Sequence, residues 1–332
     1  MVAPLWTPTP QRVADANITA FARRVEARHR VSLPDYDALW RWSVEQPEAF
    51  WREVWDDAGV IGAPGARVLV DGDRMPGARF FPDARLNFAR NLLERRAADD
   101  AGDALVFRGE DRTRARVSHA DLRAAVARVA RALDAGGVKA GDRIAAIVPN
   151  VPETLMAMLG GAARGAIWSS CSPDFGVQGV LDRFGQIEPR VLVTVDGYRY
   201  NGKAIPIADK VAEIVAKLPT VERVVVIPYL GGAAGPGDLS GIRGAVSWDA
   251  FLAPHAAGPI DYVELPFAHP LYILYSSGTT GVPKCIVHGA GGTLLQHLKE
   301  HRLHGDVKPG DRLFYYTTCG WMMWNWLVSG LA

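Results

Sequence analysis

The stretch Tyr275-Ser-Ser-Gly-Thr-Thr-Gly-Val-Pro-Lys284 gathers the groups best suited to hold a polyanion. Gly278 and Gly281 let the backbone turn tightly and approach a ligand closely. Peptide N–H groups exposed in such a turn form a concavity for anions. Ser276, Ser277, Thr279 and Thr280 bring hydroxyls that can donate to phosphate oxygens, and Lys284 brings a positive charge. Together these residue types suit a triphosphate. The bland alternative is a polar turn between two elements. A lone glycine pair would favour it, but here polar residues and glycines run unbroken from Tyr275 to Gly281. The spacing is not that of the P-loop, G-x-x-x-x-G-K-[ST]. Only two residues separate Gly278 from Gly281, Pro283 precedes the lysine, and Cys285 stands where a hydroxyl would follow.

The elements that must position this turn are legible from hydrophobic pattern. Leu271-Tyr-Ile-Leu274 reads as a buried strand leading into it. Upstream, Ala104–Phe107, Arg143–Val148, Ile167–Ser169, Val191–Val195 and Arg223–Ile227 read as strands. Helical stretches lie between them. One starts at Ser118 with a capping-box pattern, carries Leu122, Val126, Val129 and Leu133 on one face, and stops at Gly136-Gly137. Another covers Glu153–Ala163. Strands alternating with helices predict an α/β fold with parallel pairing and right-handed crossovers. Gly231–Gly244 reads as a surface loop, and no fixed repeat indicates a solenoid.

The first part of the chain, to about Arg96, is rich in tryptophan. Ser32-Leu-Pro-Asp35 reads as a helix start with Ser32 as cap. Pro47 opens a second helix. Its apolar face carries Trp51, Val54, Trp55 and Ala58, its polar face Arg52, Glu53, Asp56 and Asp57, and Gly59 ends it. Beyond the glycine-rich turn, Thr293–Leu298 reads as a helix and Asp311–Thr318 as a strand. Imidazoles at 288, 297, 301 and 304 raise a metal site, but no Glu supplies an H-E-x-x-H pattern, so none is assigned. Gly320-Trp-Met-Met-Trp-Asn-Trp326 reads, taken alone, as core more readily than as a site.

Composition excludes several classes. Hydrophobic residues make up 48% and charged residues 22% of the 332, which suits a globular domain. The net charge of +1 gives no reason to expect nucleic-acid binding. Cys171, Cys285 and Cys319 are odd in number and widely spaced, which offers neither a disulfide framework nor paired metal ligands and suits a reducing compartment. No signal peptide and no membrane span is evident, so a cytoplasmic location is expected.

Ser276-Ser-Gly-Thr-Thr-Gly-x-Pro-Lys284 resembles the phosphate loop of the acyl-adenylate-forming enzymes, among them acyl-CoA synthetases, luciferases and peptide-synthetase adenylation domains. Tyr36–Trp55 with Leu86-Asn-Phe-Ala-Arg-Asn-Leu-Leu93 resembles the N-terminal cap region of short-chain acyl-CoA synthetases, which luciferase-like relatives lack. Ser169-Ser-Cys-Ser-Pro-Asp-Phe-Gly176 resembles a turn near their CoA channel. With the Gly320–Trp326 segment, the chain is most similar to the acetoacetyl-CoA synthetases within that family.

The resemblance implies the large N-terminal domain of the acyl-adenylate fold, with parallel or mixed sheets between helices. It implies a cap region over residues 1–98 and a ligase domain over 99–332. The implied reaction joins acetoacetate to CoA through an acyl-adenylate, consuming ATP as its Mg²⁺ complex and releasing pyrophosphate and AMP. Acetyl- or propionyl-CoA synthesis, and non-catalytic nucleotide binding, are the alternatives. Ser276, Ser277, Gly278, Thr279, Thr280, Gly281 and Lys284 would then hold ATP phosphates. Trp321, Met322 and Met323 would face the acyl group. Asp196-Gly-Tyr-Arg-Tyr-Asn-Gly-Lys203 resembles a basic loop of that family, which would put Arg199 and Lys203 near the adenine-ribose phosphate of CoA, with ordinary solvated loop charges as the alternative. No residue of the chain is expected to act as a nucleophile, because the substrates supply both. The family's adenine segment, ribose-binding Asp and mobile domain with its catalytic lysine are not found by Ala332. The chain is therefore expected to be an N-terminal portion, inactive alone.

Overall fold

The computed structural model of the protein describes residues 4–94, 100–110, 114–276 and 281–332. The chain divides into two compact units, each assembled from separate stretches. One holds the described residues up to Leu86 with Pro266–Ala268 and Gly291–Phe314; the other holds those of Asn87–Leu265, His269–Ala290 and Tyr315–Ala332.

The second unit is built on a seven-stranded sheet. Its strands are β1 (Arg143–Ile147), β2 (Ile167–Cys171), β3 (Val191–Val195), β4 (Arg223–Ile227), β5 (Ala245–Ser247), β6 (Pro270–Ser276) and β7 (Lys284–Gly289). They lie in the order β5-β4-β3-β1-β2-β6-β7. All neighbours pair in parallel except the edge pair β6–β7, which is antiparallel. β2 and β3 are buried at every position. Burial on both faces explains the near-continuous apolar runs that marked the strands in the sequence. The expected α/β architecture is therefore observed, as a mixed sheet.

Helix His119–Ala135 begins where expected. Ser118 Oγ accepts from the Asp121 amide at 3.0 Å, and Leu122, Val126, Val129 and Leu133 are all buried. It lies against helix Pro152–Ala163 at a glycine contact. A Cβ on Gly160 would stand 2.4 Å from Val129 Cγ1, so only glycine permits this approach. Asn87 ties the carboxyl end of helix Pro152–Ala163 in place. From full burial, its Nδ2 donates to the carbonyls of Ala162 (3.1 Å), Ala163 (3.0 Å) and Val263 (2.9 Å). Its Oδ1 accepts from the Arg90 amide, capping helix Phe88–Leu93. One side chain thus satisfies end groups of two helices, which have no partner within their own ladders.

In the first unit, helix Tyr36–Glu45 is capped by Asp35, whose carboxylate accepts from the Ala38 amide at 2.8 Å. The expected cap, Ser32, is too far upstream, and Leu33-Pro34 lies outside the helix. Helix Pro47–Ala58 starts at its proline and ends at Gly59 in a left-handed conformation (φ 61°), as expected. Glu53 departs from the expected polar face. Its side chain is 1% exposed, with Oε1 at 3.0 Å from Arg28 Nη1 and 2.9 Å from His29 Nε2. Neighbouring helix Asn17–His29 supplies these partners, which a local periodicity cannot reveal. Trp55, Phe81 and Phe267 form an aromatic cluster in this unit, with centroids about 5 Å apart along Trp55–Phe81–Phe267.

Asp311–Thr318 is not a strand. Its aromatic and β-branched composition suits one, but no described residue pairs with it, and Phe314 and Tyr316 are 81% and 91% exposed. A strand is stabilised by cross-strand partners rather than by its own propensity. Helix Met322–Val328 follows, then a short turn of 3-10 helix, Ser329–Leu331. No described helix is long and apolar enough to cross a membrane.

Two substitutions test these anchors. Asn87→Ala leaves buried carbonyls without their donor, so unfolding stability falls by about 1–3 kcal/mol, measured by denaturant titration. Glu53→Ala leaves Arg28 and His29 facing each other without an acid, so its denaturant midpoint falls further than that of Glu53→Gln, which can still accept a hydrogen bond.

Candidate functional site

The strand-turn-strand unit that carries the polar turn is the β6–β7 hairpin. Ser276 and Lys284 are its closing pair in register. Directly opposed residues present their side chains on one face, so this hydroxyl and this ammonium flank the turn together. Gly281, at φ +127°, adopts a backbone conformation that other residues rarely reach. Lys284 is exposed and makes no ion pair among the described residues. Ser277, Gly278, Thr279 and Thr280 lie outside the described residues.

The closing pair Ser276–Lys284 stands at the carboxyl edge of the parallel strands, where open α/β sheets present their loops to ligands. Two other nominated segments meet the same edge. Ser169 Oγ donates to the Ile273 carbonyl at 2.8 Å and lies 3.1 Å from the Tyr275 hydroxyl, linking β2 to the strand that enters the turn. Ser170 Oγ donates to the Cys319 carbonyl at 2.7 Å, which holds Gly320-Trp321 against the end of β2. From there helix Met322–Val328 begins. Trp324 is buried, and its Nε1 donates to Asn150 Oδ1 at 3.0 Å. Trp321 and Met322 are instead 67% and 41% exposed, with Met323 half-buried beside them. The aromatic-methionine cluster thus divides: Trp324 and Asn325 belong to the core, Trp326 is half-buried, and the first residues face outward.

Asp196–Lys203, read as a loop, is largely a β-hairpin, Gly197–Tyr200 with Lys203–Pro206. Asn201 and Gly202 turn it with φ of 50° and 74°, the left-handed pair that a two-residue hairpin turn requires. Asp196 fixes its base by accepting from the amides of Leu230 and Gly231, both at 2.8 Å. The register pairs Tyr200 with Lys203 and Arg199 with Ala204. Arg199 and Lys203 therefore sit on opposite faces of the hairpin, although the sequence sets them close together.

Other residues at this edge carried no sequence signal. Lys210 Nζ donates to the carbonyls of Pro173 and, at 3.1 Å, Phe175, holding the turn that follows β2. Partial burial moves the Lys210 ammonium below the usual lysine range, with Cys171 and Asp174 pulling the other way. Burial pushes the Cys171 thiol up to about 12, against the opposing pull of Arg183 and Lys210. Cys319 is pushed up as well, chiefly by burial. Burial thus disfavours the thiolate at both positions. Burial likewise raises the Tyr275 hydroxyl. Among the described residues, no group of three His, Cys, Asp or Glu is arranged to hold a metal ion.

Comparison with known proteins places this geometry in a family. Residues 93–331 match the model described as "AMP-binding enzyme", and residues 36–92 match "Acetyl-coenzyme A synthetase N-terminus". An acetoacetyl-coenzyme A synthetase of Rhizobium meliloti is 55% identical over 99% of this chain and 50% of its own length. The acetoacetyl-CoA synthetase of Macaca fascicularis is 43% identical over 99% of this chain and 49% of its own. A malonamoyl-CoA synthetase of Penicillium aethiopicum is 43% identical over 94% of this chain and 44% of its own. Among solved structures, an acetoacetyl-CoA synthetase from Streptomyces lividans superposes with a TM-score of 0.91 at 47% identity, covering 99% of this chain and 50% of that one. The chain thus spans about half the length of the curated relatives it matches. With the family match extending from the end of the tryptophan-rich region through the polar turn to the last helix, the chain belongs to the AMP-binding enzymes.

Proposed function

We infer that the chain forms the ATP-phosphate and acyl-facing part of an acetoacetate–CoA ligase. The observation that carries this reading is the Ser276–Lys284 closing pair at the carboxyl edge of β6, flanking a turn of hydroxyls and glycines. In the proposed reaction, the acetoacetate carboxylate attacks the α-phosphate of ATP to give an acyl-adenylate and pyrophosphate. The CoA thiol then displaces AMP to form the thioester. Bringing a carboxylate to a triphosphate sets negative charge against negative charge. Positioned donors and cations offset that cost, and Mg²⁺ bound to the ATP neutralises part of it. Ser276, Ser277, Gly278, Thr279, Thr280, Gly281 and Lys284 would hold the β- and γ-phosphates.

Trp321, Met322 and Met323 would wall the acyl group. Support comes from their outward placement next to the end of β2, and from relatives named for acetoacetyl-CoA synthesis. A second reading has its own support in the relative named a malonamoyl-CoA synthetase, which matches at 43% identity. Malonamate differs from acetoacetate in carrying an amide NH₂ in place of a methyl. Thioether walls suit the methyl, because they offer the NH₂ only a weak acceptor. CoA is the proposed thiol substrate. Arg199 and Lys203 would contribute to its phosphate binding from opposite faces of their hairpin, so the two would act independently.

Lys284→Ala removes the cation beside the turn. Its affinity for Mg²⁺–ATP is expected to fall about ten- to hundredfold by calorimetry, the loss typical of a charged hydrogen bond. An unchanged affinity in a folded variant would refute the phosphate assignment. For the acyl wall, Met322→Ala or Met323→Ala in the catalytically active protein should change the acetoacetate-to-malonamate ratio of kcat/KM by about 10–200-fold. Equal changes for both acids would return these methionines to a purely structural role.

A further inference from the structure

The entry and exit of the polar turn are both held by one short segment, residues 177–186, that none of the motifs includes. Helix Val177–Phe184 follows the turn after β2. Its Arg183 guanidinium lies 4.6 Å from the ring centroid of Phe175 and 5.8 Å from that of Tyr275. Arg183 Nη1 also donates to the Gly179 carbonyl at 2.7 Å, which anchors the guanidinium beside both rings. Tyr275 immediately precedes Ser276, the first residue of the closing pair. Three residues after Arg183, just past the helix end, Gln186 Nε2 donates to the Pro283 carbonyl at 2.8 Å and to the Asp182 carbonyl at 2.6 Å. Pro283 immediately precedes Lys284, the other member of that pair. One short segment therefore grips the chain directly before each member of the pair.

We propose that Arg183 and Gln186 are positioning residues for the phosphate turn. They set the separation and aim of Ser276 and Lys284 and thereby tune affinity for the β- and γ-phosphates of ATP. This rests on the phosphate assignment made above. The physical basis is the edge position of β7. An edge strand has a ladder on one side only, so the stem leading into Lys284 lacks the second neighbour that holds β6. The Gln186 amide supplies a tie from outside the ladder. Both its N–H groups are used, one on its own helix and one on Pro283, so the tie is rigid rather than a swinging surface contact. Arg183 acts on the other stem through ring contact rather than through a hydrogen bond. A cation over an aromatic face holds the Tyr275 ring, whose hydroxyl is already beside Ser169.

The test compares Gln186→Ala, Arg183→Leu and Arg183→Lys with wild type by calorimetry, using Mg²⁺–ATP and AMP as probes, alongside thermal unfolding. Gln186→Ala should bind Mg²⁺–ATP about three- to tenfold more weakly, as one neutral hydrogen bond implies, with a Tm within about 2 °C of wild type. Arg183→Leu should show at least as large a loss, and Arg183→Lys should recover part of it, because an ammonium still meets the rings. AMP, which has no β- or γ-phosphate, should bind all variants as it binds wild type. Gln186 is exposed, so its variant reads the effect without disturbing the core. Wild-type ATP affinity in both Gln186→Ala and Arg183→Leu, or equal losses for ATP and AMP, would overturn the positioning role and leave the phosphate assignment standing. Failure of the wild-type chain to bind Mg²⁺–ATP would overturn both.

Discussion

The arrangement of the site follows from the way parallel strands must be buried. Strands β1 to β4 are almost wholly enclosed, and their backbone groups are consumed by neighbours on both sides. Such a sheet has no room for polar chemistry on its faces, since an unpaired buried polar group is costly. Exposed backbone and reactive side chains are left to the loops at the strand ends. The Ser276–Lys284 closing pair after β6, the turn after β2 and the Gly320-Trp321 corner all lie at one carboxyl edge for this reason. The single antiparallel partner, β7, extends that edge by a hairpin, which is how Lys284 comes to stand opposite Ser276.

Precision at this edge comes from side chains that reach backbone groups of other segments. Ser169 and Ser170 point to opposite faces of β2 and each reaches a different segment, Ser169 the entry to the turn and Ser170 the start of the acyl-facing corner. Lys210 holds the Pro173–Phe175 turn by its carbonyls. Asn87 performs the equivalent task away from the edge, where it satisfies carbonyls of a buried helix end. In each case a buried or half-buried polar group donates to a backbone carbonyl of another segment. That pattern produces rigid supports while leaving the exposed groups, Lys284 and Trp321 among them, uncommitted.

Several features were legible because they depend only on near neighbours in sequence. The Ser118 cap, the Leu122–Leu133 stripe, the Gly59 stop and the strands Val191–Val195 and Arg223–Ile227 were all found where pattern placed them. Asn201-Gly202 carried a hairpin signal, and the loop reading of Asp196–Lys203 missed it. Other features had no local trace. Glu53 falls on the polar side of its own helix, yet a second helix covers it with Arg28 and His29. Asp311–Thr318 has strand composition but no described partner, so propensity and outcome part there. The gripping contacts of Arg183 and Gln186 join residues about a hundred positions apart, and no periodicity encodes them.

The sequence by itself determined the α/β class, the run of strands and helices, and the polar turn with its lysine. Each of these is written in residue type and short spacing, where backbone sterics and hydrophobic period act directly. Tertiary structure alone decided which loops share an edge, and that Trp321 and Met322 face outward while Trp324 is core. It also decided that Arg199 and Lys203 lie on opposite faces of one hairpin. Those outcomes depend on strand order and register, and on which buried polar groups find partners. A one-residue change of register moves a side chain to the other face, so spacing along the chain could not have settled them.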